Sequence, residues 1–288
     1  MAQKQREVSR EIETEDDYLE CLYEALIRPI SLRASYTKLD TYRTCPRKFK
    51  YIYMDKLHEP PSEAMLIGSA VHSALETWVA VDGKDVGDLL DIFAASCEDK
   101  RLEGSISDEE EELARVMLYD YFEQLQTLDR SLIIGVEHMF ELLIPGTRIT
   151  GVIDRAMYLD DKKETVMISD YKSGRNSITA AKAKTNWQMG IYTLAAKQLW
   201  PAKRYITELI YPRLNKTVSH EFTDEELNKI RSELIDTSTN IKLDSRFAPK
   251  GTPPICGYCG YNTICGWGKV QNRIWKGIVA KRERNKKK

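Results

Sequence analysis

Between Ile133 and Tyr171 the apolar residues stop recurring every three or four positions and begin to alternate, and this change of period limits what the chain can become. Ile133 to Ile144, Arg148 to Tyr158 and Thr165 to Tyr171 read as strands. Pro145 and Gly146 turn the first into the second, and Leu159 to Glu164 turns the second into the third, giving a β-meander. Helical spacing precedes it. Tyr18, Leu22 and Leu26 mark a helix from about Thr14 to Ile27, ended by Pro29. A second helix starts at a Ser35 cap and runs to Cys45 and Pro46, and a third runs from Glu63 to Val81. Helical patterns continue to about Leu128, broken near Gly104 to Ser107. After the meander come a helix over Asn186 to Leu199, a strand over Tyr205 to Tyr211 and a helix over Thr223 to Asn240. From Phe247 the chain reads as loop. Strands interleaved with helices imply an α/β fold with a mixed central sheet flanked by helices.

The meander carries chemistry. In Ser169 to Gly174, Asp170 and Lys172 lie two residues apart at the end of the apolar run Val166 to Ile168. A carboxylate suits a divalent cation, and an ammonium beside it suits a phosphodiester under attack by water. The same triplet occurs as an ordinary charge pair at a strand end. The preceding strand, however, carries Gly151 to Asp154, and a connection folding back near Lys162 sets Asp154 opposite or nearly opposite Asp170. Two carboxylates forced together favour a cation between them. On the third helix Gly68 and His72 are one turn apart, so the glycine permits close approach and the histidine can reach a metal. Gln188 and Tyr192 are likewise one turn apart and can hydrogen-bond a phosphate or a catalytic carboxylate.

Each of these motifs is weak alone; their order is specific. The series Gly68 with His72, Glu137 in a strand, Gly151 with Asp154, Asp170 with Lys172, and Gln188 with Tyr192 resembles the PD-(D/E)XK nucleases of the RecB-like exonuclease type. That family includes the nuclease domains of RecB and AddB and small CRISPR-associated and phage exonucleases. The resemblance covers roughly Ser35 to Cys265 and implies a restriction-endonuclease-like core. It implies Mg²⁺ or Mn²⁺ held by His72, Asp154, Asp170 and the carbonyl of Tyr171. Lys172 would assist the water, and Gln188 and Tyr192 would position DNA. Glu137 is either a residue supporting the metal ligands or a plain strand-edge carboxylate. The proline that precedes the first acidic residue in the family signature is Ile153 here.

Cys256, Cys259 and Cys265 fall within ten residues among glycines, a ligand nest rather than three core cysteines. A closed site needs a fourth ligand, for which Cys45 is the candidate. Members of the same family bind a [4Fe–4S] cluster with one upstream cysteine and three C-terminal ones, and the resemblance implies the same for Cys45, Cys256, Cys259 and Cys265. A structural Zn²⁺ on four thiolates remains the alternative. Cys21 and Cys97 sit in helical segments and read as small buried apolar residues.

Around Cys45, the residues Tyr36, Lys38, Tyr42, Arg43, Arg47, Lys48, Phe49 and Lys50 interleave aromatic rings with cations. Such a patch suits single-stranded DNA, with Tyr42, Arg43, Arg47 and Lys48 as contacts alongside Gln188 and Tyr192. The same pattern also describes a solvated helix face with its own apolar stripe. The net charge of −1 does not bear on this, because the charges are unevenly distributed. The resulting division is an N-terminal helical extension (1–34), a nuclease domain closed by the cluster (35–265) and a basic tail (266–288), the tail read as disordered. Neither a leader-like apolar segment nor a membrane-spanning run is present, so a cytoplasmic protein of a bacterial or archaeal cell, or one encoded by a phage, is expected. No GxxxxGK[ST] loop occurs, so the chain is not expected to burn ATP to unwind DNA itself, which leaves room for a helicase, recombinase or integrase partner. The function implied is exonuclease action on single-stranded DNA ends in recombination, repair or phage DNA processing. The alternatives are trimming of CRISPR spacers beside an integrase, and a non-catalytic iron–sulfur DNA-binding subunit.

Overall fold

The computed structural model describes residues 32–286. The helix expected over Thr14 to Ile27, and Cys21 with it, lie outside them.

The chain enters the sheet at once, through strand β1 (Leu32–Ala34), which three residues of sequence are too few to reveal. Ser35 then caps helix α1 (Tyr36–Thr44), its side chain accepting the N–H of Lys38. Cys45 ends that helix, and Pro46 begins the single turn α2 (Pro46–Phe49), which continues as a π-helical turn over Lys50–Met54. Helices α3 (Glu63–Ala80), α4 (Val86–Arg101) and α5 (Asp108–Gln126) follow as the spacing requires. The acidic run that opens α5 stands where the positive end of the helix dipole stabilises it.

The meander forms as read: β2 (Ile133–Ile144), β3 (Thr147–Tyr158) and β4 (Thr165–Tyr171). The short α6 (Ala180–Ala183) and the long α7 (Trp187–Leu199) cross over to β5 (Arg204–Tyr211), which pairs parallel to β4 as such a crossover demands. A further strand, β6 (Lys216–Glu221), pairs antiparallel with β5. Its pattern is polar because it is the sheet's last strand and only Val218 is buried, so alternation did not expose it. Helix α8 (Asp224–Leu243) begins with a Thr223–Glu226 capping box. The sheet runs β1-β3-β4-β5-β6, with β2 on the other edge of β3. It is mixed: β1 lies parallel to β3, and β3 antiparallel to β4.

Each face of the sheet has its own apolar cluster. Ile149, Ile153, Ile168 and Leu209 pack under α7, α8 and α1, whereas Tyr171 and Ile210 meet α3, α4 and α5. Cys97 is fully buried in the second cluster, as expected. A polar tie runs through the same layer. The buried Arg155 guanidinium donates to the Tyr171 hydroxyl, to Ser169 Oγ at 3.1 Å and to Glu208 Oε1 at 3.4 Å, joining β3, β4 and β5. Ser169 Oγ in turn donates to Glu208 Oε1 at 2.6 Å. Charge and hydrogen bonds together are what make a guanidinium tolerable there.

The C-terminal segment differs from expectation. A short helix, α9 (Pro253–Gly257), leads to α10 (Gly266–Lys286), so the basic tail is helical rather than disordered. Trp275 anchors it: a side chain on Gly257 would sit 2.0 Å from the indole, and the Tyr258 ring lies 5.8 Å away. Charge density hid a helix whose anchoring residue points inward from an otherwise exposed surface. No helix among the described residues is long and apolar enough to cross a membrane.

Candidate active site

The ladder between β3 and β4 ends at Arg155 and Ser169. The next residues along each strand are Asp154 and Asp170, so the register sets them across from one another, as the fold-back near Lys162 required. Both are buried. The backbone N–H of Tyr171 donates to Asp154 Oδ2 at 2.9 Å, fixing that carboxylate between the strands.

Helix α3 supplies one wall. His72 Nδ1 stands 3.2 Å from Asp154 Oδ2 and 3.8 Å from Glu76 Oε1. Gly68 allows the approach, since a Cβ there would lie 3.0 Å from Ser173 Oγ just beyond β4. His72, Glu76 and Asp154 bring three ligand atoms within 4.8 Å of one another. An imidazole with two carboxylates is a donor set that fits a divalent cation such as Mn²⁺ or Mg²⁺. Glu76 is a candidate ligand that sequence reasoning missed: its place one turn after His72 was visible, but its burial on the cleft side of α3 was not.

Helix α7 supplies the other wall. Gln188 Nε2 donates to Asp170 Oδ1 at 2.8 Å and to the Tyr192 hydroxyl at 2.9 Å. Its Oε1 accepts from Lys172 Nζ at 2.9 Å. Lys172 Nζ also stands 2.6 Å from Asp170 Oδ2, off the direction of a hydrogen bond, so that buried oxygen has an ion-pair contact and no hydrogen-bond partner. Gln188 thus meets the carboxylate of Asp170, and with Tyr192 it holds Asp170 and Lys172 in place. Both ends of the Gln188 amide are occupied, and Tyr192 is buried.

The titration behaviour follows from this crowding. Burial pushes the Asp170 carboxyl up, and the Asp154 charge adds to that against the pull of Lys172. Burial disfavours a charged His72, yet hydrogen bonds to Asp154 and Glu76, with the charges of Asp154 and Asp170, raise it to about 10. Glu76 is raised to about 7 by burial and by its contact with Glu137, against the effect of His72. The cluster carries more negative charge than its protein surroundings neutralise, which is the electrostatic condition a bound cation relieves.

Glu137 sits in β2 across from Asp154, in a left-handed conformation with φ of 46°. A non-glycine residue held there in mid-strand is strained by about 1–2 kcal/mol. Replacing Glu137 with Gly should therefore raise the unfolding free energy by about 1 kcal/mol. It should also slow cleavage, because Glu76 loses its neighbour. Chemical denaturation beside a digestion assay reads both, and an unchanged rate would reduce Glu137 to an edge carboxylate.

The aromatic–basic patch around Cys45 has partners within the chain. Tyr42 donates to Asp244 Oδ2 at 2.9 Å and packs edge-on against Phe49 and Phe247. Arg47 donates to the carbonyls of Phe247 and Arg246. Arg43 pairs with Asp40 and lies 4.0 Å over the Trp187 ring. Lys48 stands 4.0 Å from Glu59. Tyr42, Arg47 and Arg43 thus tie α1 and α2 to the chain after α8 and to α7. Burial pushes the Cys256 thiol up, and Cys259, Cys45 and Cys265 are near enough to add to that. The N–H of Gly268 donates to Cys265 Sγ at 3.4 Å, and a Cβ on Gly251 would be 2.6 Å from Cys256 Sγ.

The model of one family, the PD-(D/E)XK nuclease superfamily, matches residues 33–266. The chain belongs to the PD-(D/E)XK nuclease superfamily. The match takes in β1 through the last cysteine, and so holds every residue of the site just described. The chain's mixed sheet flanked by helices is the architecture expected. No curated protein matches the chain. The solved structure of SSO0001 is similar over 87% of this chain and 97% of its own, at 15% identity and a TM-score of 0.37, too distant to carry any argument.

Proposed function

We propose that the chain is a metal-dependent exonuclease that hydrolyses single-stranded DNA from its ends. The observation that carries the catalytic part is the convergence of His72, Glu76 and Asp154 beside an Asp170–Lys172 pair that α7 immobilises. His72, Asp154 and Asp170 would hold the cation, with Glu76 as a further ligand. Bound there, Mg²⁺ or Mn²⁺ supplies Lewis acidity toward the phosphate and a water of lowered pKa. The protein's own part is orientation. Gln188 fixes the direction of both Asp170 and Lys172 through its two amide atoms. The Lys172 ammonium, a third exposed, meets the charge that develops on the phosphate. The Tyr171 N–H and His72 settle which Asp154 oxygen faces the cleft.

We further infer a [4Fe–4S] cluster on Cys45, Cys256, Cys259 and Cys265. Cys45 stands at the junction of α1 and α2, the other three lie in and just after α9, and all are near enough for their charges to add at Cys256. The N–H donated to Cys265 is the kind of contact that stabilises a cluster-bound thiolate.

Digestion of end-labelled linear strands and of closed circular strands, with Mg²⁺, with Mn²⁺ and with excess chelator, tests the reading. Metal-dependent loss of the linear strand with the circle intact is expected. Cleavage of the circle at an equal rate would replace exonuclease with endonuclease action. Cutting that survives chelation would remove the metal.

A further inference from the structure

We propose that Met65, Val152 and Met139 form an apolar shelf at the mouth of the catalytic cleft, on which the bases of an unpaired strand stack beside the scissile phosphate. The inference rests on the nuclease reading and adds the recognition of substrate to it.

The cleft between α3 and the β2–β3 hairpin encloses about 770 Å³. Its charged end holds His72, Glu76, Glu137 and Asp154, and its wall includes Met65 and Val152. Val152 precedes Asp154 by two residues, so the two side chains share a strand face about 6.6–6.8 Å apart along the strand. Met139 is the register partner of Val152 on β2, two residues beyond Glu137. Met65 opens the wall of α3, one turn before Gly68 and Ser69. The apolar surface is thus laid alongside the metal-binding group, on the same strands and the same helix.

These side chains are unusually open to water: Met139 is 79% exposed, Met65 65% and Val152 38%. They are not needed by either core cluster. Large apolar groups clustered at a cleft mark a place that something covers. The neighbouring chemistry says what that is. A phosphate bound at the charged end carries a sugar and a base with it. Of the parts of a nucleotide, only the base offers a flat face of low polarity. Thioether side chains are polarizable and adapt to such faces, and base stacking is tolerant of sequence. Paired bases are already stacked inside a duplex and present only their edges in the grooves, so away from an end their flat faces cannot reach the shelf. Methionine and aliphatic side chains can also wedge between base steps, which suits a frayed end.

The test uses the full chain with Mn²⁺ and single strands of one length, either with all bases present or with a central block of abasic sugars. The wild type should digest the normal strand and slow about tenfold within the abasic block, mainly through KM. The double variant Met65→Ala with Met139→Ala should lose about the same on the normal strand and feel no further loss in the block. Met139→Leu should recover much of it. Both methionines are exposed, so their truncation opens no core. A wild type that passes through the abasic block at full rate overturns the shelf and leaves the nuclease standing. A chain that cuts no DNA of either kind overturns both.

Discussion

Asp170→Asn should lower the rate of strand digestion by more than about 10³-fold and leave the protein folded, and if anything more stable. The two effects have one origin. Asp170 is 3% exposed and lies next to Asp154, and burial alone raises its carboxyl pKa. Keeping a charge there costs folding free energy that Lys172, with the Gln188 hydrogen bond and the His72 charge, only partly offsets. An amide has the same shape and no charge. Its oxygen can still accept from Gln188 Nε2, so the α7 anchor survives. What disappears is the negative charge that draws in the cation and orients the Lys172 ammonium. Loss of activity with a gain in stability is the signature of a residue kept for function. Digestion of a labelled strand and calorimetry on the same preparation decide it. Undiminished digestion by this variant would move the catalytic centre away from the β3–β4 parting, whatever the family of the chain.

The sequence made the strands of this centre readable because they are buried on one or both faces, and burial imposes a pattern. Asp170 stood out as a carboxylate at the end of an apolar strand and Asp154 as one within the strand before it, and the fold-back that opposes them needed only the loop around Lys162. Gln188 was legible as a residue but not as an act. The same amide could have met a phosphate, and only the positions of Asp170, Lys172 and Tyr192 show where its hydrogen bonds go. The patch of Tyr42, Arg43 and Arg47 shows the converse. A composition rich in cations and rings does not tell whether a backbone carbonyl two hundred residues away is waiting for them, and for Arg47 it is that of Phe247. Glu76 required knowing that α3 turns its polar stripe to the cleft. Strands β1 and β6 have too little buried surface to carry a periodic signal.

The second large effect expected is that of Cys45→Ser. Cys45 lies at the junction of α1 and α2, and Cys256 lies roughly 210 residues later, in α9. If one cluster bridges them, it closes nearly the whole described chain into a loop. A crosslink over that length restricts the unfolded chain by about 5 kcal/mol on the chain-entropy account. Beyond the cysteines, the Tyr261 hydroxyl on the Leu57 carbonyl, the Tyr51 ring 5.4 Å from that of Tyr261 and Glu59 against Gly260 tie the C-terminal segment to the rest, while the Trp267 and Trp275 contacts lie within it. The variant should therefore lose iron and visible absorbance together, melt at a much lower temperature, and be cut by protease first in the segment after Gly251. Cys97→Ala is the control. It removes a buried sulfur from α4 and costs about 1 kcal/mol of packing, but should leave the iron content untouched. A Cys45→Ser protein that keeps its iron would place the fourth ligand elsewhere. A colourless wild type purified without oxygen and holding one zinc would replace the cluster, although the same crosslink would still account for the loss of stability.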